Sequence, residues 1–195
     1  MSLTSAGQPA AKAAVRASVR ARRAARTEAE RTAAADAVAA ALLGGLTRVH
    51  AVAAHVPSAE EPGSGRLPGA LGRLGAQVLL PVVPPAGRML SWAVDTGEFA
   101  TGRFGLLEPV GPRLAAGALA TVDAVVVPAV AVARDGVRLG RGGGYYDVAL
   151  ASVGPGVVVV AVVFDDELVD ELPAEPHDRR VGAVVTPSGG WRALP

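Results

Sequence analysis

The segment Arg138-Leu-Gly-Arg-Gly-Gly-Gly-Tyr-Tyr-Asp147 holds the densest chemistry in this 195-residue chain. The consecutive glycines Gly142, Gly143 and Gly144, with Gly140 just before them, expose backbone N–H groups and tolerate positive φ. The segment follows a strand pattern and precedes a helix pattern. Free N–H groups at a helix start and the helix dipole point the same way, which makes a cradle for an anion such as phosphate. Arg138 and Arg141 flank the glycines and can add charge-assisted hydrogen bonds, each worth about 1.5–3 kcal/mol. Neither common phosphate loop is present. G-x-x-x-x-G-K-[ST] needs a lysine that is missing here, and Tyr145 stands where G-x-G-x-x-G needs its last glycine. A solvated Gly-rich turn is the plain alternative. The close spacing of two arginines, Tyr145, Tyr146 and Asp147 favours a site over that alternative.

Periodicity predicts the elements that must carry this loop. Residues 10–43 are dominated by Ala and Arg, both strong helix formers. Thr27 and Glu30 have capping-box spacing, so a second helix starts there, and Gly44 and Gly45 end it. The first helix is basic, with six basic and no acidic residues over 12–26. Residues 49–56, 77–83 and 89–94 then read as strands, and 66–74 as a short helix. Residues 122–127 and 157–164 are β-branched runs of the kind buried on both sheet faces. Residues 145–153 read as a helix, 183–186 as a last strand, and 128–137 as a loop. Alternating strands and helices predict one α/β domain over 1–195, a three-layer α/β/α arrangement around a mixed, mainly parallel sheet. Ligands in such sheets collect beyond the carboxyl ends of the strands, which is where the glycine loop falls.

Composition narrows the function. Half of the residues are apolar and 4% aromatic, so Ala, Val and Leu must fill the core, as is ordinary for an α/β protein. A formal net charge of +1 gives no global field toward nucleic acid or anionic membrane. The chain has no cysteine, which excludes disulfides, thiolate metal sites and cysteine nucleophiles. His50, His55 and His177 lack metal-ligand spacing, so no zinc site is expected. No serine sits in G-x-S-x-G. The first ten residues lack the apolar stretch of a signal peptide. The longest apolar run, 124–133, is interrupted by Pro128 and falls far short of the roughly 20 residues of a bilayer span. A cytoplasmic protein is the expectation.

Residues 127–147 as a whole resemble the signature of the 5-formyltetrahydrofolate cyclo-ligase family, also called 5,10-methenyltetrahydrofolate synthetases: a strand, V-P-G-x-A-F-D, a turn, and R-L-G-R-G-x-G-Y-Y-D. Other pieces fall in that family's order. Lys12 and Arg16 match K-x-x-x-R, one helical turn apart, and Lys12 is the chain's only lysine. Glu61 matches a glutamate after the first strand, with Glu60 as the alternative. Residues 81–89 match a proline-ended strand followed by a methionine. Phe104-Gly-Leu-Leu-Glu-Pro109 matches F-G-I-x-E-P, and Pro176-His177-Asp178 matches an element before the last strand. The resemblance covers about residues 10–187. His55 stands where the family often has Tyr or Phe, and Val132 where it often has an aromatic residue.

The resemblance implies a fold like that of ribose-phosphate isomerases and CoA transferases. It also implies an enzyme that uses ATP to convert 5-formyltetrahydrofolate to 5,10-methenyltetrahydrofolate, ADP and phosphate through a phosphorylated formyl group. Arg141 and Tyr146 are then the catalytic candidates. Lys12, Arg16, Arg138, Gly140, Arg141, Gly142, Gly143, Gly144, Tyr145 and Asp147 would serve the nucleotide. Glu61, Met89, Tyr145 and Tyr146 would serve folate, with Trp92 as a further wall, and Asp147 and Asp178 would hold Mg²⁺. The expected partners are these small molecules alone, on a monomer, without nucleic acid or membrane. A nucleotide- or folate-binding relative without turnover is the alternative.

Overall fold

Two helices open the chain. α1 (Gln8–Ala25) turns Lys12, Val19 and Arg23 inward, and α2 (Glu28–Gly45) buries Ala34, Ala35, Val38, Ala39 and Leu42. α2 begins where the capping box predicts. Thr27 Oγ1 accepts the Glu30 N–H at 3.2 Å, and the Glu30 carboxylate accepts the Thr27 N–H at 2.7 Å. The structure, a computed structural model, describes residues 8–114, 116–175 and 179–195. After α2 come β1 (Ala51–Ala53), α3 (Gly69–Gly72), β2 (Gln77–Val82) and β3 (Ser91–Val94). Next are β4 (Phe99–Thr101), β5 (Leu107–Pro109), β6 (Arg113–Leu114), β7 (Ala124–Pro128), β8 (Ala131–Ala133) and β9 (Arg138–Leu139). The chain ends with α4 (Tyr145–Leu150), β10 (Val158–Val162), β11 (Leu168–Val169), β12 (Ala183–Thr186) and β13 (Gly190–Ala193).

The central sheet has eight strands in the order β13-β12-β10-β7-β1-β2-β3-β6. Its five inner strands, β12 to β2, pair in parallel. The pairs β12–β13, β2–β3 and β3–β6 are antiparallel. β7 lies in the middle, and Ala124, Val125, Val126 and Val127 are all fully buried, as a parallel strand covered on both faces must be. Successive residues point to opposite faces. Val126 joins Val38, Leu42, Leu71 and Leu80 in one core, beneath α2 and α3. Val125 and Val127 join Trp92, Leu119, Ala149 and Leu150 in the other. The α/β class and the mainly parallel sheet are as read from the sequence. Among the described residues no helix is long and apolar enough to cross a membrane.

Three expectations change. The strand read over 49–56 shrinks to Ala51–Ala53 because the chain leaves the sheet to carry His55 and Glu61. The loop read over 128–137 contains a hairpin, β8 against β9, in the register Ala131↔Leu139 and Val132↔Arg138. Its turn is Asp135-Gly136, with Gly136 at φ +89° and Asp135 accepting the Val137 N–H at 3.1 Å. β11 adds to β8 in parallel, and Val19 of α1 packs on this small sheet through Val130, Ala131 and Leu139. Finally, the helix read over 145–153 is regular only to Leu150.

Candidate active site

A cavity of about 580 Å³ opens beyond the carboxyl ends of three parallel neighbours. His55 and Val56 follow β1, Pro81 and Val83 end β2, and Pro128 and Ala129 end β7, and all of them line it. The glycine loop forms one side. Gly142 (φ +100°) and Gly144 (φ +73°) hold the left-handed conformation that L side chains resist. α1 crosses over this loop. Arg16 Nε donates to the Gly140 carbonyl at 2.9 Å, and Lys12 Nζ meets the Glu175 carboxylate at 2.8 Å. Arg88 also reaches the loop, and a Cβ on Gly144 would lie 3.4 Å from its Nη1.

Two arginines of the signature sit differently from one another. Arg138, as a buried ladder residue of β9, sends Nη1 to the Pro128 carbonyl at 3.2 Å and Nη2 to Asp147 Oδ1 at 2.6 Å. Arg141, whose side chain is 55% exposed, donates from Nη2 to Ser58 Oγ at 2.6 Å and forms an ion pair with Glu61 Oε1 at 2.9 Å. Glu61 is buried. Its Oε2 accepts the Ser58 N–H at 2.8 Å and the Ser58 hydroxyl at 3.1 Å. Burial opposes ionisation of Glu61, but the His55 ring, the Arg141 and Arg23 guanidiniums and the Ser58 amide outweigh it, and the carboxyl lies below its ordinary range. His55 is itself buried with Nδ1 3.3 Å from the Val126 carbonyl, and burial pushes its pKa down against the upward pull of the Glu61 charge.

Tyr146 lines the cavity, and it carries a polar atom that the described residues do not satisfy. Its hydroxyl is buried and has no hydrogen-bond partner among the described residues. Burial, and then the neighbouring Glu61 charge, raise the phenol well above its ordinary pKa, so it stays protonated and acts as a donor.

The structure thus brings Lys12, Arg16, Glu61, Arg138, Gly140, Arg141, Gly142, Gly143, Gly144, Tyr145, Tyr146 and Asp147 to one cavity. Met89 is 64% exposed and does not line it; Leu90 does. Trp92 is 1% exposed, a core residue rather than a cavity wall. Glu60 points to solvent, which separates it from Glu61. Asp178 and its neighbours Pro176 and His177 lie outside the described residues. Sequence reasoning missed Arg88 and Glu175 in the cavity wall and Ser58 behind Glu61 and Arg141, and took Phe104 and Glu108 only as landmarks although both line the cavity. Ser58 was legible, since Ser58 and Glu61 have the same S-x-x-E spacing as a capping box.

Fold and site together define a small α/β protein with a glycine loop flanked by arginines, the chemistry of an anion cradle, beside a buried carboxylate that accepts hydrogen bonds. The model of the 5-formyltetrahydrofolate cyclo-ligase family matches residues 8–187, and the chain belongs to that family. A 5-formyltetrahydrofolate cyclo-ligase of Mycolicibacterium smegmatis is 45% identical over 148 residues, 73% of this chain and 76% of that protein. The Escherichia coli K12 cyclo-ligase is 36% identical over 129 residues, 62% of this chain and 69% of that protein. The NMR structure of Aquifex aeolicus 5,10-methenyltetrahydrofolate synthetase superposes with a TM-score of 0.76 at 29% identity, covering 94% of this chain and 92% of that one.

Proposed function

We propose that this chain closes 5-formyltetrahydrofolate to 5,10-methenyltetrahydrofolate with ATP, releasing ADP and phosphate. The observation that carries this is the buried Tyr146 hydroxyl, without a hydrogen-bond partner among the described residues, on a residue that lines the same cavity as the glycine loop and the Glu61 carboxylate. The cavity offers an anion cradle, an acceptor for amino and ring N–H donors, and a neutral donor for an oxygen.

The chemistry assigns the parts. A formamide oxygen is a poor leaving group. Transferring a phosphoryl group to it makes an O–P bond as ADP departs. N10 of the folate then attacks the formyl carbon and loses its proton, and phosphate carries the oxygen away. Phosphoryl transfer depends chiefly on positioning and charge stabilisation. Gly140 to Gly144 supply backbone N–H groups for the phosphates, and Arg16, Arg88 and Arg141 supply charge around them. Glu61 accepts the donor edge of the pterin. Tyr146 donates its hydroxyl hydrogen to the formyl oxygen and orients it.

Asp147 lines the cavity with a side chain 38% exposed, and Arg138 fixes its Oδ1. Such a carboxylate fits Mg²⁺, which takes one or two carboxylates plus phosphate oxygens, and the ion would neutralise phosphate charge there. Asp178 is the proposed second carboxylate. We read the enzyme as a cytoplasmic monomer acting on these small molecules.

Methenyl-folate absorbs in the near ultraviolet where 5-formyl-folate does not. Incubation with 5-formyltetrahydrofolate should raise this absorbance only when ATP and Mg²⁺ are both present. A protein that binds both substrates and produces no absorbance would instead be a relative without turnover.

A further inference from the structure

Glu61 is held by more than its own loop. Its Oε1 pairs with two guanidiniums, Arg141 at 2.9 Å and Arg23 at 3.9 Å. The two differ in freedom. The Arg141 side chain is 55% exposed, whereas that of Arg23 is 5% exposed. Arg23 belongs to α1, far from Glu61 in the chain, and its other edge is fixed. Nε and Nη2 form a fork to the two Glu167 oxygens at 2.7 Å each, and Nη2 also donates to the Ala129 carbonyl at 2.9 Å. Glu167 is fully buried and accepts the Phe164 N–H at 2.9 Å. One edge of Arg23 is therefore spent on Glu167, and Nη1 is left to face Glu61.

A ligand that uses Glu61 must compete with Arg141, and a nucleotide phosphate competes for Arg141 in turn. When Arg141 turns to phosphate, Arg23 is the guanidinium that stays. Arg23 also lies on the same face of α1 as Lys12 and Arg16, through the spacing 12, 16, 19, 23. We propose that Arg23 is a positioning residue for the folate substrate: it fixes the Glu61 carboxylate in the cavity wall, and so ties the folate acceptor to the helix that carries Lys12 and Arg16. This rests on Glu61 being the folate acceptor.

Removing Arg23 alone would strand the Glu167 charge, so the main variant is Arg23→Met with Glu167→Gln. Exchanging a buried ion pair for neutral residues of similar size is often tolerated. Arg23→Lys, which keeps a charge but loses the fork, is the second variant. Folding is checked by circular dichroism and thermal melting, and activity by near-ultraviolet absorbance. The expected result is a folded double variant whose KM for 5-formyltetrahydrofolate rises about tenfold or more, a free-energy change on the scale that separates tenfold affinities, with KM for ATP within twofold. Arg23→Lys should fall between it and the wild type. A folate KM within twofold in a folded variant overturns the proposal, as does an equal rise in both KM values, which marks a purely structural role. Should the double variant not fold, Arg23→Lys decides on the same criteria. A wild-type protein that forms no methenyl product overturns the proposed function, and this inference with it, before any variant is made.

Discussion

Alanine in place of Arg141 removes two contacts at once, the 2.6 Å hydrogen bond to Ser58 and the 2.9 Å ion pair with Glu61. Arg141 is more than half exposed but Glu61 is buried, so water screens only one side of the pair and its loss should lower stability by about 1 kcal/mol. That corresponds to a Tm decrease of roughly 2–4 °C. The effect on catalysis is larger, because the same guanidinium flanks the glycine loop. Losing one charged hydrogen bond to phosphate costs about 1.5–3 kcal/mol, or roughly 10- to 150-fold in kcat/KM for ATP. The two substrates should respond in different directions. Arg141 competes for Glu61 Oε1, so without it the carboxylate is open to the pterin and the KM for 5-formyltetrahydrofolate should stay or fall. The near-ultraviolet assay gives both parameters, and titration with a non-hydrolysable ATP analogue gives nucleotide affinity directly. ATP kinetics within twofold of wild type would make Arg141 only a surface partner of Glu61. A folate KM rising as far as that for ATP would mean that Arg141 orients Glu61 instead of serving phosphate.

Four further outcomes are expected. Glu61→Gln should raise the folate KM or lower turnover with little change in nucleotide affinity, while Glu60→Gln, at an exposed position, changes neither; a nucleotide-affinity loss in the first refutes the assignment. Gly144→Ala forces a Cβ into φ +73° with Arg88 3.4 Å away, so denaturant titration should show a loss of about 1–2 kcal/mol, and a change under about 0.3 kcal/mol contradicts the strain argument. Asp147→Asn should raise the Mg²⁺ concentration for half-maximal rate about tenfold, and an unchanged Mg²⁺ titration rules this carboxylate out as a ligand. Burial lowers the His55 pKa from 6.5, so the unfolded chain binds that proton more readily and stability falls as pH drops below about 6.5. His55→Phe should flatten the fall between about pH 6.5 and 5 in urea melts; an unchanged slope shows that other groups drive it.

The buried strands were plain in the sequence because parallel strands covered on both faces leave continuous β-branched runs, as in Ala124–Pro128 and Val158–Val162. The glycine loop was plain because its residues are contiguous. The 131–139 hairpin was overlooked because each of its strands is only two or three residues long, although Asp135-Gly136 marks its turn. Met89 and Trp92 show the limit of composition. Both are large apolar residues near the same sheet edge, and only packing decides that Trp92 enters the core while Met89 faces solvent.

α1 shows why the rest of the site stayed hidden. An amphipathic helix is normally read by assuming that its inward face is apolar. On α1 the residues turned inward are Lys12, Val19 and Arg23, so the usual reading assigns this charged stripe to solvent. Such a face is stable only if each buried charge has its partner. Those partners come from distant segments: Glu175 for Lys12, Glu167 and Glu61 for Arg23. No window of local sequence contains both members of such a pair. The consequence for the cavity is specific. Because α1 is held to the domain by ion pairs and by the Arg16 bond to Gly140, and less by apolar burial, the groups that dock the helix also line or border the cavity. A change in the charge bound there therefore bears on the seating of α1, which a helix packed by leucine and valine alone would not sense.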